Sequence, residues 1–346
     1  MALVLPPQEA FAPGAAGAIA LLARRLATPH DGFEPLVIGT PPPLPAFAAV
    51  PFRAVRPAFW GGYAGAVGRA LRVLRPALVE VHNRPALAWR LRRHGRVALF
   101  LNNDPCEMPG ARTSRERAAL LEKIAVVTSS EYLRERFLAG LAGHVDVLAN
   151  CLDFRELPPP ALRENLVLFA GRMVADKGAD TFVRACARAL PSLPGWRAAM
   201  IGADRFGPHS PETPFLRALS AEAAAAGVAL LGYRPHADVL AAMAWAAIVV
   251  MPGRWPEPFG LVAVEAMASG AALICSARGA LPEVAADAAL YADPDDPADL
   301  AAKISALAAD PARRATLAEA GRVRARRFDL PPTLDALCAL RRRLLR

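Results

Sequence analysis

Along the chain, short apolar runs alternate with longer stretches in which apolar positions recur every three or four residues. The short runs predict strands at 3–5, 35–38, 78–82, 97–101, 125–129 and 145–148, and the periodic stretches predict helices at 15–26, 63–74, 113–121 and 132–138. A second alternation predicts strands at 166–170, 198–201, 229–231, 248–251, 273–275 and 289–291, with helices at 179–189, 214–226, 237–244, 261–268, 298–309 and 311–327. Regular alternation of strand and helix predicts a parallel sheet covered by helices on both faces.

Between the two series the chain reads FRELPPPALREN from 154 to 165. Three consecutive prolines continue neither a helix nor a central strand, so this stretch is expected to be a linker. The expected organisation is an N-terminal domain over 1–153, a linker over 154–165, and a C-terminal domain over 166–327. A last helix, 328–346, is expected to return to the first domain. The expected fold class is α/β, with two Rossmann-like doubly wound domains that would face one another across a cleft. Ligands of such sheets bind outside the carboxyl ends of the strands, which makes that cleft the default site.

Composition narrows the function classes. The 346 residues are 54% hydrophobic and 21% charged, which excludes a disordered chain. The formal charge is +9, yet only Lys123, Lys177 and Lys303 among the 41 basic residues are lysine. That skew, with abundant Ala and Pro, reads as the codon bias of a GC-rich genome and tempers the charge. No Cys/His zinc spacing occurs and only 7% of residues are aromatic, which argues against a nucleic-acid partner. Five scattered cysteines suit a reducing compartment. The N-terminus lacks the basic start of a signal peptide. The most apolar stretch, 239–251, is shorter than the roughly 18 residues of a spanning helix, so a cytoplasmic protein is expected. The arginine runs at 90–96 and 341–346 read either as solvated faces, the simpler reading, or as peripheral contacts with an anionic inner membrane surface. Oligomeric state is not legible.

Chemistry concentrates in two clusters. In LVLFAGRMVADKGAD, 166–180, an apolar strand ends at Gly171, and a loop carries Arg172 and Lys177 into a helix opened by Gly178. A planar guanidinium, a compact ammonium and a helix amino end together suit a diphosphate. The plainer reading is a surface loop with ordinary ion pairs, although Lys177 stands out in a chain that otherwise writes arginine. In VVMPGRWPEPFGLVAVEAMASGAALICS, 249–276, Glu257 lies in the loop before a helix and Glu265 about two turns inside it. A carboxylate within an Ala/Val/Met helix is costly to bury unpartnered. A ribose diol is a suitable partner, and an arginine the plainer one. The amides of Phe259, Gly260 and Leu261 stand free at the helix amino end. Asp293 to Asp296 read as a loop and helix cap, and no metal site is expected.

The pairing of GRMVADKG with EPFGLVAVE about 80 residues later resembles the family-4 retaining glycosyltransferases, whose signature is two glutamates separated by seven residues, as Glu257 and Glu265 are. EVHNRP, TSSEYLRERF and LLGYRPHADVLAAMAWA also resemble family positions. The first half is most similar to a branch near spore-coat and cell-surface polysaccharide glycosyltransferases. The resemblance implies the GT-B fold and metal-independent, retaining transfer from a nucleotide-sugar to a glycan or lipid-linked acceptor, with no cofactor. A UDP-sugar is implied ahead of GDP-mannose. It further implies that Arg172 and Lys177 grip the diphosphate and Glu265 the ribose. Glu257, with the backbone of Phe259, Gly260 and Leu261, holds the donor sugar. Tyr233 and Arg234 fall where the family's chain passes the base, and Gly14 and Gly17 where backbone approaches the donor.

Departures accompany these matches. Where the family often places a histidine near the anomeric centre, this chain has Asn102. His82 and Asp104 are neighbouring acceptor-side candidates, though a lone histidine is more often structural. Cys151 replaces the glycine of an N-G-x-D stretch, which questions the local turn. The Pro- and aromatic-rich stretch 42–62 is the expected acceptor surface. Three rivals remain: a glycoside hydrolase using Glu257 and Glu265, a non-catalytic nucleotide-sugar or glycan-binding subunit, and a nicotinamide enzyme, for which no clean G-x-G-x-x-G follows a strand.

Overall fold

The computed structural model describes residues 1–57, 61–204 and 212–346, which form two compact units. Unit 1 comprises Met1–Cys151 and Leu330–Arg346, and unit 2 comprises Leu152–Asp329. The Pro-rich stretch 154–165 therefore counts with unit 2, where Phe154–Glu156 form a short 3-10 turn. Residues 58–60 of the expected acceptor surface lie outside the described residues.

Unit 1 holds strands β1 (Ala2–Val4), β2 (Leu36–Gly39), β3 (Phe52–Ala54), β4 (Val79–His82), β5 (Val97–Leu101), β6 (Ala125–Thr128) and β7 (Asp146–Val147). They form one parallel sheet in the order β3-β2-β1-β4-β5-β6-β7. Unit 2 holds β8 (Glu164–Ala170), β9 (Arg197–Ile201), β10 (Val228–Leu230), β11 (Ala246–Met251), β12 (Ala272–Cys275) and β13 (Ala289–Tyr291). Its sheet, also parallel, has the order β10-β9-β8-β11-β12-β13. Both orders reverse direction once, at β1/β4 and at β8/β11, as doubly wound sheets do.

Three elements escape the sequence pattern. Strand β3 is three residues long, half-buried to exposed, and earns its place by pairing with β2. The helices Pro85–Leu91 and Leu281–Ala285 are seven and five residues long and start at or next to a proline, a residue the pattern reads as punctuation.

The unit 1 strands alternate their side chains between two cores. On one face Ala2, Val4, Val79, Val81 and Leu99 pack under the helices that follow β3 and β4. On the other, Leu3, Ala98 and Phe100 pack against Leu22 and Leu26 of the helix Ala18–Leu26 and against Leu334 and Leu337 of the helix Leu330–Leu345. Glu80 shares the second face by parity, and it is fully buried. Its carboxylate accepts from Arg341 Nε at 2.8 Å and Arg341 Nη2 at 3.0 Å, and Arg341 Nη2 also donates to the Leu26 carbonyl at 3.2 Å. This fork fixes the C-terminal helix at one register on the sheet.

The same finding takes Arg341 out of the surface run at 341–346. Arg341 is core, Arg342 pairs with Asp31, and Arg343 pairs with Asp146. No helix among the described residues is long and apolar enough to cross a membrane.

Removing one partner of a buried ion pair leaves the other charge uncompensated. Arg341→Ala is expected to lower unfolding stability by about 3–5 kcal/mol, measured by urea denaturation. The double variant Glu80→Leu, Arg341→Met is expected to cost much less.

Candidate active site

The unit 2 sheet reverses its winding between β8 and β11, and there the two chemical clusters meet. The Gly171–Gly178 loop leaves the carboxyl end of β8, and the Pro252–Gly260 loop leaves that of β11. They press together at Gly178, which has φ +69°. A Cβ there would lie 1.8 Å from the Pro252 carbonyl oxygen, so this position needs glycine on both counts.

Arg254 ties the loops. Its Nη1 donates to the Ala175 carbonyl at 2.8 Å and Asp180 Oδ1 at 2.7 Å, while Nη2 donates to Asp180 Oδ2 at 3.0 Å and Thr181 Oγ1 at 2.7 Å. Its Nε donates to Asp295 at 2.9 Å. The amides of Arg254 and Trp255 both donate to the Asp176 carbonyl. Burial pushes the Asp180 carboxyl upward, and the bonds from Arg254 outweigh it, holding the group below the usual carboxylate range. Sequence reading passed over Arg254 as one arginine among many. The only signal was its place inside the PGRWPEP loop.

With the loops joined, Lys177 Nζ donates to Glu257 Oε1 across 80 residues of sequence. Both are largely sheltered, at 24% and 13% side-chain exposure, and neither is sealed from a ligand. Arg172, next after Gly171, is half-buried at the start of the same loop. Phe259 is buried edge-on against Phe328, with ring centroids 5.5 Å apart. Gly260 has φ +94° and turns the chain into the helix Leu261–Ala268. Ala263 donates its amide to the Gly260 carbonyl at 2.9 Å, while the amides of Phe259, Gly260 and Leu261 make no backbone hydrogen bond among the described residues.

Glu265 lies one turn from the end of this helix, at 8% exposure. Its partner is not an arginine. His236 Nε2 lies 2.7 Å from Glu265 Oε1. His236 opens the helix His236–Trp245, directly after a loop that holds Tyr233, half-buried, and Arg234, exposed. Sequence reading missed His236, although it follows Arg234 by two positions.

Unit 1 distributes its candidates differently. Gly14 has φ +74° with open space where a Cβ would stand. Gly17 precedes the helix Ala18–Leu26, but its missing Cβ makes room for this chain's own Glu9, whose Oε2 would lie 2.9 Å from it. His82 presents neither ring nitrogen to a ligand. It is fully buried, stacks on Phe100 at 5.1 Å, and both nitrogens lack partners; burial pulls its pKa down to about 4. Asn102 is half-buried and its backbone N–H donates to Asn83 Oδ1 at 2.8 Å. Asp104 is engaged, capping the turn Pro105–Glu107 through the Cys106 amide and pairing with Arg136 at 2.8 Å. Cys151 has no left-handed φ and is buried, its carbonyl accepting from Arg25 at 2.9 Å.

Also in unit 1, two adjoining cavities of about 710 and 770 Å³ share Arg93. Arg90, Arg92 and Lys123 line the first, Arg72 and Arg75 the second, and neither has a carboxylate in its lining. Among the described residues, no three His, Cys, Asp or Glu are grouped to hold a metal. Asp296 caps the helix Pro297–Ala309.

With this geometry in view, residues 153–324 match the family model described as glycosyl transferases group 1. A D-inositol 3-phosphate glycosyltransferase of Acidothermus cellulolyticus is 34% identical over 51% of this chain and 40% of its own length. Glycogen synthase of Mycobacterium tuberculosis is 30% identical over 56% of the chain and 47% of its length. The matched region thus spans less than half of these relatives. Among solved structures, sucrose-phosphate synthase from Thermosynechococcus elongatus superposes with a TM-score of 0.80 at 20% identity, covering 99% of this chain and 98% of that one. Anabaena HepE in complex with UDP and glucose gives 0.78 at 19% identity, covering 98% of both chains. The fold is GT-B.

Arg254→Ala is expected to lower stability by about 2 kcal/mol at neutral pH, the worth of a hydrogen bond to a charged group. Because the folded Asp180 carboxyl titrates below its ordinary value, its contribution is complete above pH 3.8 and is lost as pH falls through the folded value. The gap between variant and parent should therefore close in acid, as read by urea midpoints against pH.

Proposed function

We propose, from the premise that residues 153–324 make up a group 1 glycosyl transferase domain, that this protein moves a sugar from a nucleoside-diphosphate sugar to an acceptor hydroxyl. The donor is a UDP-sugar ahead of GDP-mannose, and the acceptor a glycan or lipid-linked glycan of cell-surface polysaccharide synthesis. Transfer retains the anomeric configuration and needs neither metal nor further cofactor.

The observation that carries the reading is the contact of Lys177 with Glu257 at the reversal point of the unit 2 sheet. It sets a cation for phosphate beside a carboxylate for sugar hydroxyls, next to the free amides before Leu261. In the reaction the bond from the anomeric carbon to the phosphate oxygen breaks, and the bond to the acceptor oxygen forms on the same face. The acceptor proton passes to a donor phosphate oxygen, and the nucleoside diphosphate leaves. Lys177 and Arg172 are cationic where the leaving charge develops. Glu257, released from Lys177 by the incoming phosphate, accepts hydrogen bonds from the sugar and orients it. A UDP-sugar donor is supported by solved proteins of this fold that hold UDP or UDP-glucose. A hydrolase would leave Arg172 and Lys177 without a role.

The basic cavities of unit 1 support a second element, contact with an anionic membrane surface through Arg72, Arg75, Arg90, Arg92, Arg93 and Lys123. Val73, at 79% exposure, supplies an apolar side chain between two of these arginines in sequence. A lipid-linked acceptor would reside in such a bilayer.

Calorimetric titration with UDP, GDP, ADP and TDP, with and without EDTA, tests the donor site. Selective, EDTA-insensitive UDP binding is expected. Lys177→Ala should weaken it at least about tenfold, the loss of one charge-assisted bond. Glu257→Ala should leave UDP affinity nearly unchanged while transfer falls about 100-fold. Silence with all four nucleotides sinks the reading. Tight donor binding without turnover on any acceptor turns it to a binding subunit, and free sugar released without acceptor turns it to a hydrolase. Flotation with phosphatidylcholine vesicles, with and without phosphatidylglycerol, tests the surface. Binding to the anionic vesicles alone, weakened by salt, is the expected result.

A further inference from the structure

The helix Leu261–Ala268 buries Ala263, Val264, Ala266 and Met267 around Glu265. A carboxylate in such surroundings is costly unless hydrogen bonds satisfy it. The structure supplies one bond. His236 meets Oε1 at 2.7 Å, while Oε2 has no hydrogen-bond partner among the described residues. An ionised carboxylate only accepts, so the imidazole donates its Nε2 proton to Oε1. That bond pins the carboxylate rotamer and leaves Oε2 as the open acceptor. His236 itself is part-exposed at 29%, so the pair sits at a rim and not inside a sealed core.

We propose that His236 is a positioning residue which aims Glu265 at the donor ribose and so sets the preference for ribonucleotide over deoxyribonucleotide. The inference rests on the donor reading given above, and on Glu265 as the ribose acceptor within it. Two features support the assignment. His236 is the first residue of its helix, so its ring is placed by a rigid element and not by loop motion. The loop just before it, at Gly232, accepts a hydrogen bond from the Gly202 amide at 2.9 Å, which anchors the approach to the ring. With Oε1 held by imidazole, a ribose hydroxyl meets an acceptor already oriented. Without the ring, the carboxylate rotates among its rotamers and the hydroxyl must order it on binding.

The test compares UDP with 2′-deoxy-UDP and 3′-deoxy-UDP by calorimetry on the full chain. Wild type should prefer UDP over at least one deoxy analogue by roughly tenfold to a hundredfold, the worth of one hydrogen bond to a charged group. His236→Ala should reduce that preference to within about threefold. It should do so by losing UDP affinity while the affinity for the deoxy analogue stays nearly unchanged. His236→Gln carries an amide N–H near the position of Nε2 and should restore most of the preference. A purely structural role would weaken all three nucleotides alike and leave the ratio in place.

Retention of the full preference by His236→Ala overturns the inference while the donor site stands. Failure of His236→Gln to recover a preference that His236→Ala has lost also overturns it. Equal binding of UDP and both deoxy analogues by wild type removes Glu265 from the ribose, and the inference with it. Absence of UDP binding by wild type brings down the donor reading itself.

Discussion

The hydrogen-bonded pairing of β8 with β11 is the constraint on which the candidate site depends. Two strands far apart in the chain lie side by side in parallel, so both their carboxyl ends open at one edge. With the winding reversed between them, no crossover helix covers the gap. The pairings between the two loops follow from this: Lys177 with Glu257, Arg254 with Asp180, and Gly178 against Pro252. Arg254 converts adjacency into rigidity, since one guanidinium satisfies a carbonyl, a hydroxyl and two carboxylates. Lys177 and Glu257 are then brought together by backbone placement of the two loops.

Unit 1 solves a different problem with the same chemistry. Its sheet must accept a helix from the far end of the chain, and apolar packing by Leu334 and Leu337 alone does not set a register. The Glu80–Arg341 fork does, because any slip leaves two buried charges unpaired. Buried charge thus serves specificity more than net stability. His82 shows the alternative treatment of a buried polar group on the same face, where imidazole stays neutral and stacks on Phe100. Its place at a strand end made it look like a site residue, and its parity made it a core residue.

Much of the architecture was legible. The strands over 97–101 and 289–291, and the helices over 179–189 and 261–268, coincide with the observed bounds because their apolar positions follow period and length rules without competition. Strand β3 was not legible, since three residues just after a proline carry no pattern and only β2 defines them. Within the site, Lys177, Glu257, Gly260 and Glu265 stood out by type and spacing. Arg254 and His236 did not, for an arginine in an arginine-rich chain and a single histidine have no local signature.

Local sequence, then, determined which segments are strands and helices, that the sheets are parallel, and which residues have chemistry worth placing. Those properties depend on neighbours a few positions away. What tertiary structure alone decided was who meets whom: β8 beside β11, Arg341 under Glu80, and His236 against Glu265. Each of these contacts joins residues through strand order or face parity, and a one-residue slip in register would send the same side chain to the opposite face. That is information held by the packed sheet as a whole, and no window of sequence contains it.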